Sequence, residues 1–152
     1  MKTIVGIDAG ASGGIAIMFH DGRLKASPIG NITELCEILK SIDTPKSDVI
    51  AFVEEVTGYI PGKAQPASRS FVLGKSYGAI LGLLIGLEIP FYTVRPQKWQ
   101  QGLSGLKGIG YTERKRLLKE YATRAYPNLK PTLKTADAIL IADYGRRVIN
   151  EA

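Results

Sequence analysis

The sequence predicts an α/β domain in which helices flank a mixed five-stranded sheet. The chain has 152 residues, of which 45% are hydrophobic and 22% are charged, a size and composition typical of one folded domain. Short β-branched and apolar runs predict strands, and apolar residues at helical spacing predict helices. Three strands come first, strands and helices then alternate, and helices end the chain, an order typical of a mixed sheet. We therefore expect residues 1–152 to form a single domain.

The first predicted elements are a β-hairpin, a third strand and a helix. Residues 3–8 form a β-branched run, and residues 13–19 form a second run after a turn of small residues. Residues 23–27 follow a further turn and predict a third short strand. Leucine and isoleucine side chains at helical spacing predict a helix over residues 33–42.

The central part of the chain predicts an inner strand and a long helix. Residues 48–53 form a short apolar run bounded by turns, which is typical of a central strand buried on both faces. Gly and Pro residues exclude regular structure over residues 56–68, and a long helix is predicted over residues 68–87. A strand over residues 89–94 follows. The last segments predict a short turn or helix and two longer helices, at residues 97–103, 113–126 and 134–149.

The long predicted helix carries a stripe of small residues spaced four apart, which favours close approach of another backbone. The stripe consists of Ser70, Gly74, Gly78, Gly82 and Gly86. Two partners are compatible with it: the sheet of the same chain and a second chain. Because the helix carries more apolar surface than one small sheet face needs, we expect part of it to meet another chain. The residues expected at that interface are Gly74, Gly78, Leu81, Gly82 and Ile85.

Basic residues are concentrated in one part of the chain. The formal net charge is +6, and ten Lys and Arg residues lie within residues 95–134 against two acidic residues. Trp99 and three tyrosines are interleaved with them, a combination suited to nucleic-acid phosphates and bases. A solvated helix face is the alternative explanation of the charge. For Trp99 the alternative is a partly buried anchor.

Three acidic residues stand where predicted elements begin or end. Asp8 closes the first strand, Glu54 follows the inner strand, and Asp137 lies near the start of the last helix. Carboxylates at the edge of a core are costly unless they are paired or bind a metal. Adjacent strand ends would bring Asp8 and Glu54 together, and a helix packed on the sheet would add Asp137, giving oxygen ligands for Mg²⁺ or Mn²⁺. Capping or surface acids are the alternative.

Several other classes of protein are disfavoured. Cys36 and His20 are the single cysteine and histidine of the chain, so an intrachain disulfide and a cysteine-rich zinc site are excluded. No secretory signal is recognisable, and the longest apolar run, at residues 78–87, is shorter than the roughly 20 residues that cross a bilayer. We expect a cytoplasmic protein without a membrane partner.

The order of several short motifs resembles the RuvC family of Holliday junction resolvases, especially its short phage-type members. The motifs are GIDAG at 6–10, GGIA at 13–16, VEEV at 53–56, SxxxGxSxG at 70–78 and ADA at 136–138. The resemblance implies an RNase H-like fold, a homodimer, and crossover junction endodeoxyribonuclease activity that resolves four-way DNA junctions by paired nicks. It implies that Asp8, Glu54 and Asp137 bind two Mg²⁺ or Mn²⁺ ions. The expected location is the cytoplasm of a bacterium, or of the host cell if the protein comes from a phage. Glu55 is expected on the opposite side of the strand from Glu54, because side chains alternate along a strand.

The sequence departs from the family pattern at two positions. A fourth metal-site residue, Asp or His, often lies one helical turn before the last Asp, and Lys134 stands there. Lys134 is expected to share a helix face with Asp137 and to contact the scissile phosphate, or else to face solvent. Some members open the junction with an aromatic residue where this chain has Thr57, and Tyr59 or Phe71 is the expected substitute.

The partner expected from the charge pattern and the resemblance is branched DNA. The residues expected to contact it are Tyr59, Arg69, Lys75, Lys98, Lys107, Arg114, Lys115, Arg116 and Lys119. Three alternatives stay open: a nuclease of the same fold that acts on RNA, as YqgF-like processing factors do, a DNA-binding module without catalysis, and an actin-like sugar kinase or ATPase. The last needs a second phosphate-binding hairpin, and no second one is recognisable in the sequence.

Overall fold

The structure, a computed structural model, describes residues 1–10, 13–57 and 66–152. The strands are β1 (Thr3–Asp8), β2 (Gly14–Met18), β3 (Leu24–Pro28), β4 (Val49–Glu54) and β5 (Phe91–Val94). The α-helices are α1 (Ile32–Lys40), α2 (Ala67–Gly86), α3 (Pro96–Trp99), α4 (Tyr111–Ala125) and α5 (Ala136–Glu151). The predicted order of elements is confirmed.

The five strands form one mixed sheet in the order β3-β2-β1-β4-β5. The first three strands pair antiparallel, and β1, β4 and β5 run parallel to one another. β4 lies between β1 and β5, as its apolar sequence predicts. The parallel arrangement brings the carboxyl ends of β1 and β4 to the same edge of the sheet.

Helices cover both faces of the sheet and divide the core into two clusters. Alternate residues of β1 point to opposite faces: Ile4 lies in the cluster that contains α5, whereas Val5 and Ile7 lie in the cluster that contains α1 and α2. α5 lies close against the sheet at Gly6, where a Cβ atom would overlap the Ala138 carbonyl and lie 2.9 Å from the Ala142 Cβ. The glycine of the first motif therefore lets α5 pack directly on β1.

Element boundaries differ from the prediction by up to four residues: α3 ends at Trp99 rather than at residue 103, and β5 begins at Phe91 rather than at residue 89. The last helix begins at Ala136, two residues later than predicted, because a turn precedes it in which Thr135 and Ala136 donate backbone N–H groups to the Thr132 carbonyl. α4 begins at Tyr111, two residues earlier than predicted. α1 begins after Asn31, whose side chain accepts a hydrogen bond from the Glu34 N–H, as expected for an N-cap.

The glycine stripe of α2 faces away from the rest of the described chain. A Cβ atom added at Gly74, Gly78, Gly82 or Gly86 would meet nothing within 4 Å. The alternative in which the stripe packs the helix on its own sheet is therefore wrong, because Ile80 and Leu84 make that contact instead. None of the described helices is long and apolar enough to span a membrane.

Candidate functional site

Two neighbouring strands place Asp8 and Glu54 side by side at one edge of the sheet. Ile7 is the register partner of Val53 in the parallel pair, so Asp8 and Glu54 are the next residue on each strand. Strand alternation directs both side chains to the face that α5 covers. Asp8 is 7% exposed, and Glu54 is partly buried. The structure thus brings together the two strand-end acids that the sequence predicts.

The third acid comes from the first turn of α5. Asp137 is 8% exposed, and its position is set by the close packing of α5 on Gly6. The segment before α5 also lies close to β2, because a Cβ atom at Gly14 would lie 3.2 Å from the Thr135 Cα and overlap the Lys134 carbonyl oxygen. Small residues in β1 and β2 therefore allow Asp137 to approach the strand ends.

The three carboxyl groups interact electrostatically. Burial raises the pKa of Asp8 well above its usual range, and repulsion from Glu54 and Asp137 adds to this effect. Burial and repulsion from Asp137 raise the pKa of Glu54 to about 7, against a lowering by its hydrogen bond from Trp99. Such pKa shifts are typical of functional sites in which carboxyl groups lie close together.

Lys115 is the cation that the described structure places among these acids. Its Nζ lies 2.7 Å from Asp137 Oδ2, and the two side chains are 20% and 11% exposed. Burial alone would lower the pKa of Lys115, but attraction to Asp137 and Asp8 outweighs it and the pKa is raised. Lys115 is one of the residues predicted from the sequence to bind DNA, and nothing in its spacing distinguishes it from Arg114 or Arg116.

The donor set fits a hard divalent cation. Asp137 Oδ1 is buried and has no hydrogen-bond partner among the described residues, and a buried oxygen of this kind needs a partner. Carboxylate oxygens are the ligands that Mg²⁺ and Mn²⁺ prefer. Within residues 1–10, 13–57 and 66–152, no three acidic, His or Cys side chains are already arranged to hold an ion. Trp99 donates a hydrogen bond to Glu54, and Lys115 donates one to Asp137, so each of these two carboxyl groups already has a partner within the protein.

Lys134 does not share a helix face with Asp137, and this expectation is corrected. It lies in the turn before α5, with an exposed side chain, because the helix begins only at Ala136. Glu55 lies away from the cluster, as expected, and its Oε2 accepts from Arg95 Nε at 3.4 Å. The cation beside Asp137 is therefore Lys115 from α4.

Trp99 is a buried partner of Glu54. It is 1% exposed, and its indole N–H donates to Glu54 Oε2 at 2.7 Å. Stacking of this side chain on DNA bases is therefore excluded by its burial, and the buried anchor is the correct alternative. The sequence signal was its place in the short segment that follows β5, the strand paired with β4.

Most residues predicted to bind DNA have exposed side chains. The exposed residues are Arg69, Lys75, Lys98, Lys107, Arg116 and Lys119. Arg114 differs, because its guanidinium donates to Gln100 Oε1 and to the Leu106 carbonyl, both at 2.8 Å. These two hydrogen bonds connect α4 to the loop that precedes it. Of the two aromatic candidates for opening a junction, Phe71 is 71% exposed on α2, and Tyr59 lies outside the described residues.

The raised pKa of Glu54 predicts a pH-dependent stability. In the folded metal-free protein the Glu54 carboxyl keeps its proton up to about pH 7, whereas the ordinary pKa of a glutamate is 4.5. The folded state then binds more protons than the unfolded chain, so the free energy of unfolding falls as the pH rises through this range. Urea denaturation in EDTA should show lower stability at about pH 8 than at about pH 5.

The variant Glu54→Gln should show a smaller fall of the free energy of unfolding with pH, because the amide does not titrate. Asp8 contributes a slope of the same sign, since its pKa is also raised. A metal-free stability that is constant or rises with pH, equally in both proteins, would contradict the electrostatic description of the site.

Comparison with known proteins identifies the architecture. The sequence matches no protein-family model and no curated protein. The structure is similar to T. thermophilus RuvC in complex with a Holliday junction substrate, with a TM-score of 0.59, 22% identity and 96% of each chain covered. It is also similar to the yeast mitochondrial Holliday junction resolvase Ydc2, with a TM-score of 0.54, 15% identity, and 96% of this chain and 78% of that chain covered.

A viral protein shows the same similarity. The fowlpox virus resolvase, in complex with substrate Holliday junction DNA, matches with a TM-score of 0.53 and 16% identity over 98% of this chain and 99% of that chain. The resemblance found in the motifs is thus confirmed at the level of the fold. The chain has the RNase H-like fold of RuvC and other Holliday junction resolvases.

Proposed function

We propose that the protein is a divalent-metal-dependent endonuclease that resolves four-way DNA junctions by paired nicks. The observation that carries the proposal is the cluster of Asp8, Glu54 and Asp137, with an unpartnered buried oxygen on Asp137, at one edge of the sheet. The fold supports the substrate class, because the similar solved structures named above are those of RuvC and other Holliday junction resolvases, two of them in complex with junction DNA.

In this proposal the three carboxylates hold two Mg²⁺ or Mn²⁺ ions. Bound ions would activate a water molecule and stabilise the leaving oxygen of the phosphodiester. The chain itself supplies the negative charge that attracts the ions, and Trp99 and Lys115 hold two of the three carboxyl groups in place. The burial of Asp8 and Asp137 limits the access of bulk water, which strengthens their electrostatic attraction for a cation.

The test compares substrates under one set of conditions. The wild-type protein is incubated with a synthetic four-way DNA junction, with a linear DNA duplex of the same arm sequence and with an RNA duplex, in Mg²⁺ and in EDTA. We expect cleavage of the junction alone, and only in Mg²⁺. Preferential cleavage of RNA would contradict the proposed substrate, and binding of the junction without cleavage in Mg²⁺ would contradict the enzymatic activity.

Lys115, rather than Lys134 as predicted from the motif spacing, is proposed to provide the positive charge at the reacting phosphate. Its ammonium already lies among the acids, whereas Lys134 is exposed in a turn. We expect Lys115→Met to reduce the single-turnover cleavage rate by about 100- to 1,000-fold, as removal of one charge-stabilising donor does elsewhere, with a smaller loss of junction affinity. Lys134→Met is the matched lysine control, and we expect near wild-type rates.

The reverse result would reassign the role. A large rate loss in Lys134→Met with little change in Lys115→Met would restore the prediction made from the motif spacing. Mg²⁺ binding and thermal unfolding of both variants, measured alongside, separate a loss of fold from a loss of catalysis.

Junction affinity is proposed to come mainly from the exposed basic residues. The logarithm of the binding constant should fall linearly with the logarithm of the salt concentration, by a slope of roughly −0.9 for each neutralised phosphate on duplex arms. Lys98→Ala and Lys119→Ala should each make that slope shallower by about this amount. Fluorescence anisotropy with a labelled junction measures the slope, and an affinity that does not change with salt would contradict the proposal.

The working unit is proposed to be a homodimer formed through α2. One chain carries one carboxylate cluster, and two opposed nicks need two clusters, which a two-fold axis would supply. The outer face of α2 supports this arrangement, because its glycines are open to approach and Ile85 is 66% exposed. Leu81 is partly buried beside them. Of the expected interface residues, Gly74, Gly78, Gly82 and Ile85 are exposed and accessible to a second chain, whereas Leu81 packs against the core of its own chain.

A further inference from the structure

The hydrogen bond between Trp99 and Glu54 links the core to the candidate metal site. The indole Nε1–H lies 2.7 Å from Glu54 Oε2, at the short end of the range for N–H···O hydrogen bonds. Glu54 ends β4 at the sheet edge, and Trp99 is the single tryptophan of the chain. The bond occupies one of the two carboxylate oxygens of Glu54.

The local sequence fixes the position of this indole. β5 ends at Val94, the register partner of Glu54, so the chain leaves the sheet beside the carboxylate. Pro96 is the first residue of the short helix α3, a position that suits proline. The backbone N–H of Trp99 donates to the Arg95 carbonyl at 3.3 Å. One turn of helix therefore directs Trp99 back over the end of β4.

Packing then restricts the side chain. Trp99 is 1% exposed and belongs to the core cluster that includes Val94, Leu106, Leu118 and Ile139. A buried tryptophan usually finds a partner for its N–H, and here that partner is an acid of the functional site rather than a backbone carbonyl. Trp99 therefore has the geometry of an outer-sphere group, which orients a metal-binding side chain through a hydrogen bond and does not contact the ion itself.

We propose that Trp99 is a positioning residue for the metal-binding carboxylate of Glu54, fixing Oε2 so that Oε1 is presented to the divalent cation. The inference rests on the proposed function, because it takes Glu54 as a ligand of the ion. It assigns Trp99 no contact with DNA and no part in the chemical step.

The first test removes the N–H while keeping the shape of the side chain. β-(3-Benzothienyl)alanine at position 99 replaces the indole N–H by sulfur, and Trp99→Phe is the genetically simpler variant. Free Mn²⁺ is measured by electron paramagnetic resonance as each protein is titrated with the metal, without DNA. We expect both substitutions to weaken Mn²⁺ binding by about 10- to 100-fold, the usual effect of losing such a group.

The controls separate positioning from stability. Leu106→Ala removes apolar contacts from the same core cluster without touching Glu54, and it should lower the unfolding temperature but keep wild-type Mn²⁺ affinity. Wild-type affinity in the benzothienyl protein would overturn the inference, as would an equal loss of affinity in Leu106→Ala. If the wild-type protein itself binds no Mn²⁺, the proposed metal function fails, and the inference fails with it.

The single tryptophan offers a second, independent measurement. Its fluorescence comes from the one indole that touches Glu54, so Mn²⁺ or Mg²⁺ binding should change the emission of the wild-type protein. The same titration of Glu54→Gln should show no saturable change. A metal-dependent emission change that is equal in both proteins would contradict the assigned contact.

Discussion

Replacement of any one acid in the cluster is expected to abolish junction cleavage while preserving junction binding. Asp8→Asn, Glu54→Gln and Asp137→Asn each keep the shape of the side chain and remove a charge that would hold an ion. Loss of an outer-sphere partner alone commonly costs about 10- to 100-fold in metal affinity or activity, so loss of a ligand should exceed about 100-fold in cleavage rate. Single-turnover assays with a synthetic junction in limiting Mg²⁺ measure the effect.

Asp143→Asn is the matched control for the same change of charge elsewhere on α5. Asp143 accepts a hydrogen bond from the Tyr126 hydroxyl and forms ion pairs with Arg146 and Arg147, so it should keep cleavage. Asp8→Asn should also raise the unfolding temperature of the metal-free protein at neutral pH, because burial and repulsion from Glu54 and Asp137 disfavour an ionised carboxylate at this position, and the amide avoids that penalty. Wild-type cleavage by any of the three site variants would remove that residue from the ligand set.

A bulky residue in the α2 stripe is expected to produce a folded monomer that binds junctions but does not resolve them. A side chain at Gly78 meets open space within its own described chain, so Gly78→Leu should fold and even gain helix propensity. If a second chain packs on that surface, the leucine should prevent its close approach. Analytical ultracentrifugation should then show a dimer for the wild type and a 16.5 kDa species for the variant.

Gly145→Leu provides the contrasting result for a glycine that is internal. A Cβ atom there would overlap the Phe52 ring, with the Cε2 carbon only 2.6 Å away, so this variant should misfold. A wild-type protein that sediments only as the monomer, with and without junction DNA, would contradict the dimer. A dimeric Gly78→Leu that resolves junctions normally would contradict the assigned interface.

Much of the fold could be predicted because each element has a strong local signal. The β-branched run that ends at Asp8 and the apolar run that ends at Glu54 predict strands wherever they lie in the chain, and a parallel pair then places both acids at one edge. The position of α5 needed more than periodicity. Its start depends on the hydrogen-bonded turn from Thr132 to Thr135, which no hydrophobic pattern encodes.

The site was predicted less completely because two of its contacts depend on packing between distant segments. Lys115 is 22 positions from Asp137, and Trp99 is 45 positions from Glu54. A run of basic residues looks the same whether one of them faces DNA or an acid. The rotation of α4 about its own axis against the core makes Lys115 face inward and Arg116 face solvent. The periodicity of the sequence alone does not determine this rotation.

The most direct test of the central claim uses a supercoiled plasmid that extrudes a cruciform, a four-way junction held in circular DNA. Wild-type protein in Mg²⁺ is predicted to convert it to linear molecules, because two opposed nicks in one encounter cut both strands, and no product should form in EDTA. Glu54→Gln should leave the plasmid intact. Accumulation of nicked circles without linear product would contradict paired cleavage, and an intact plasmid in both Mg²⁺ and Mn²⁺ would contradict the proposed function.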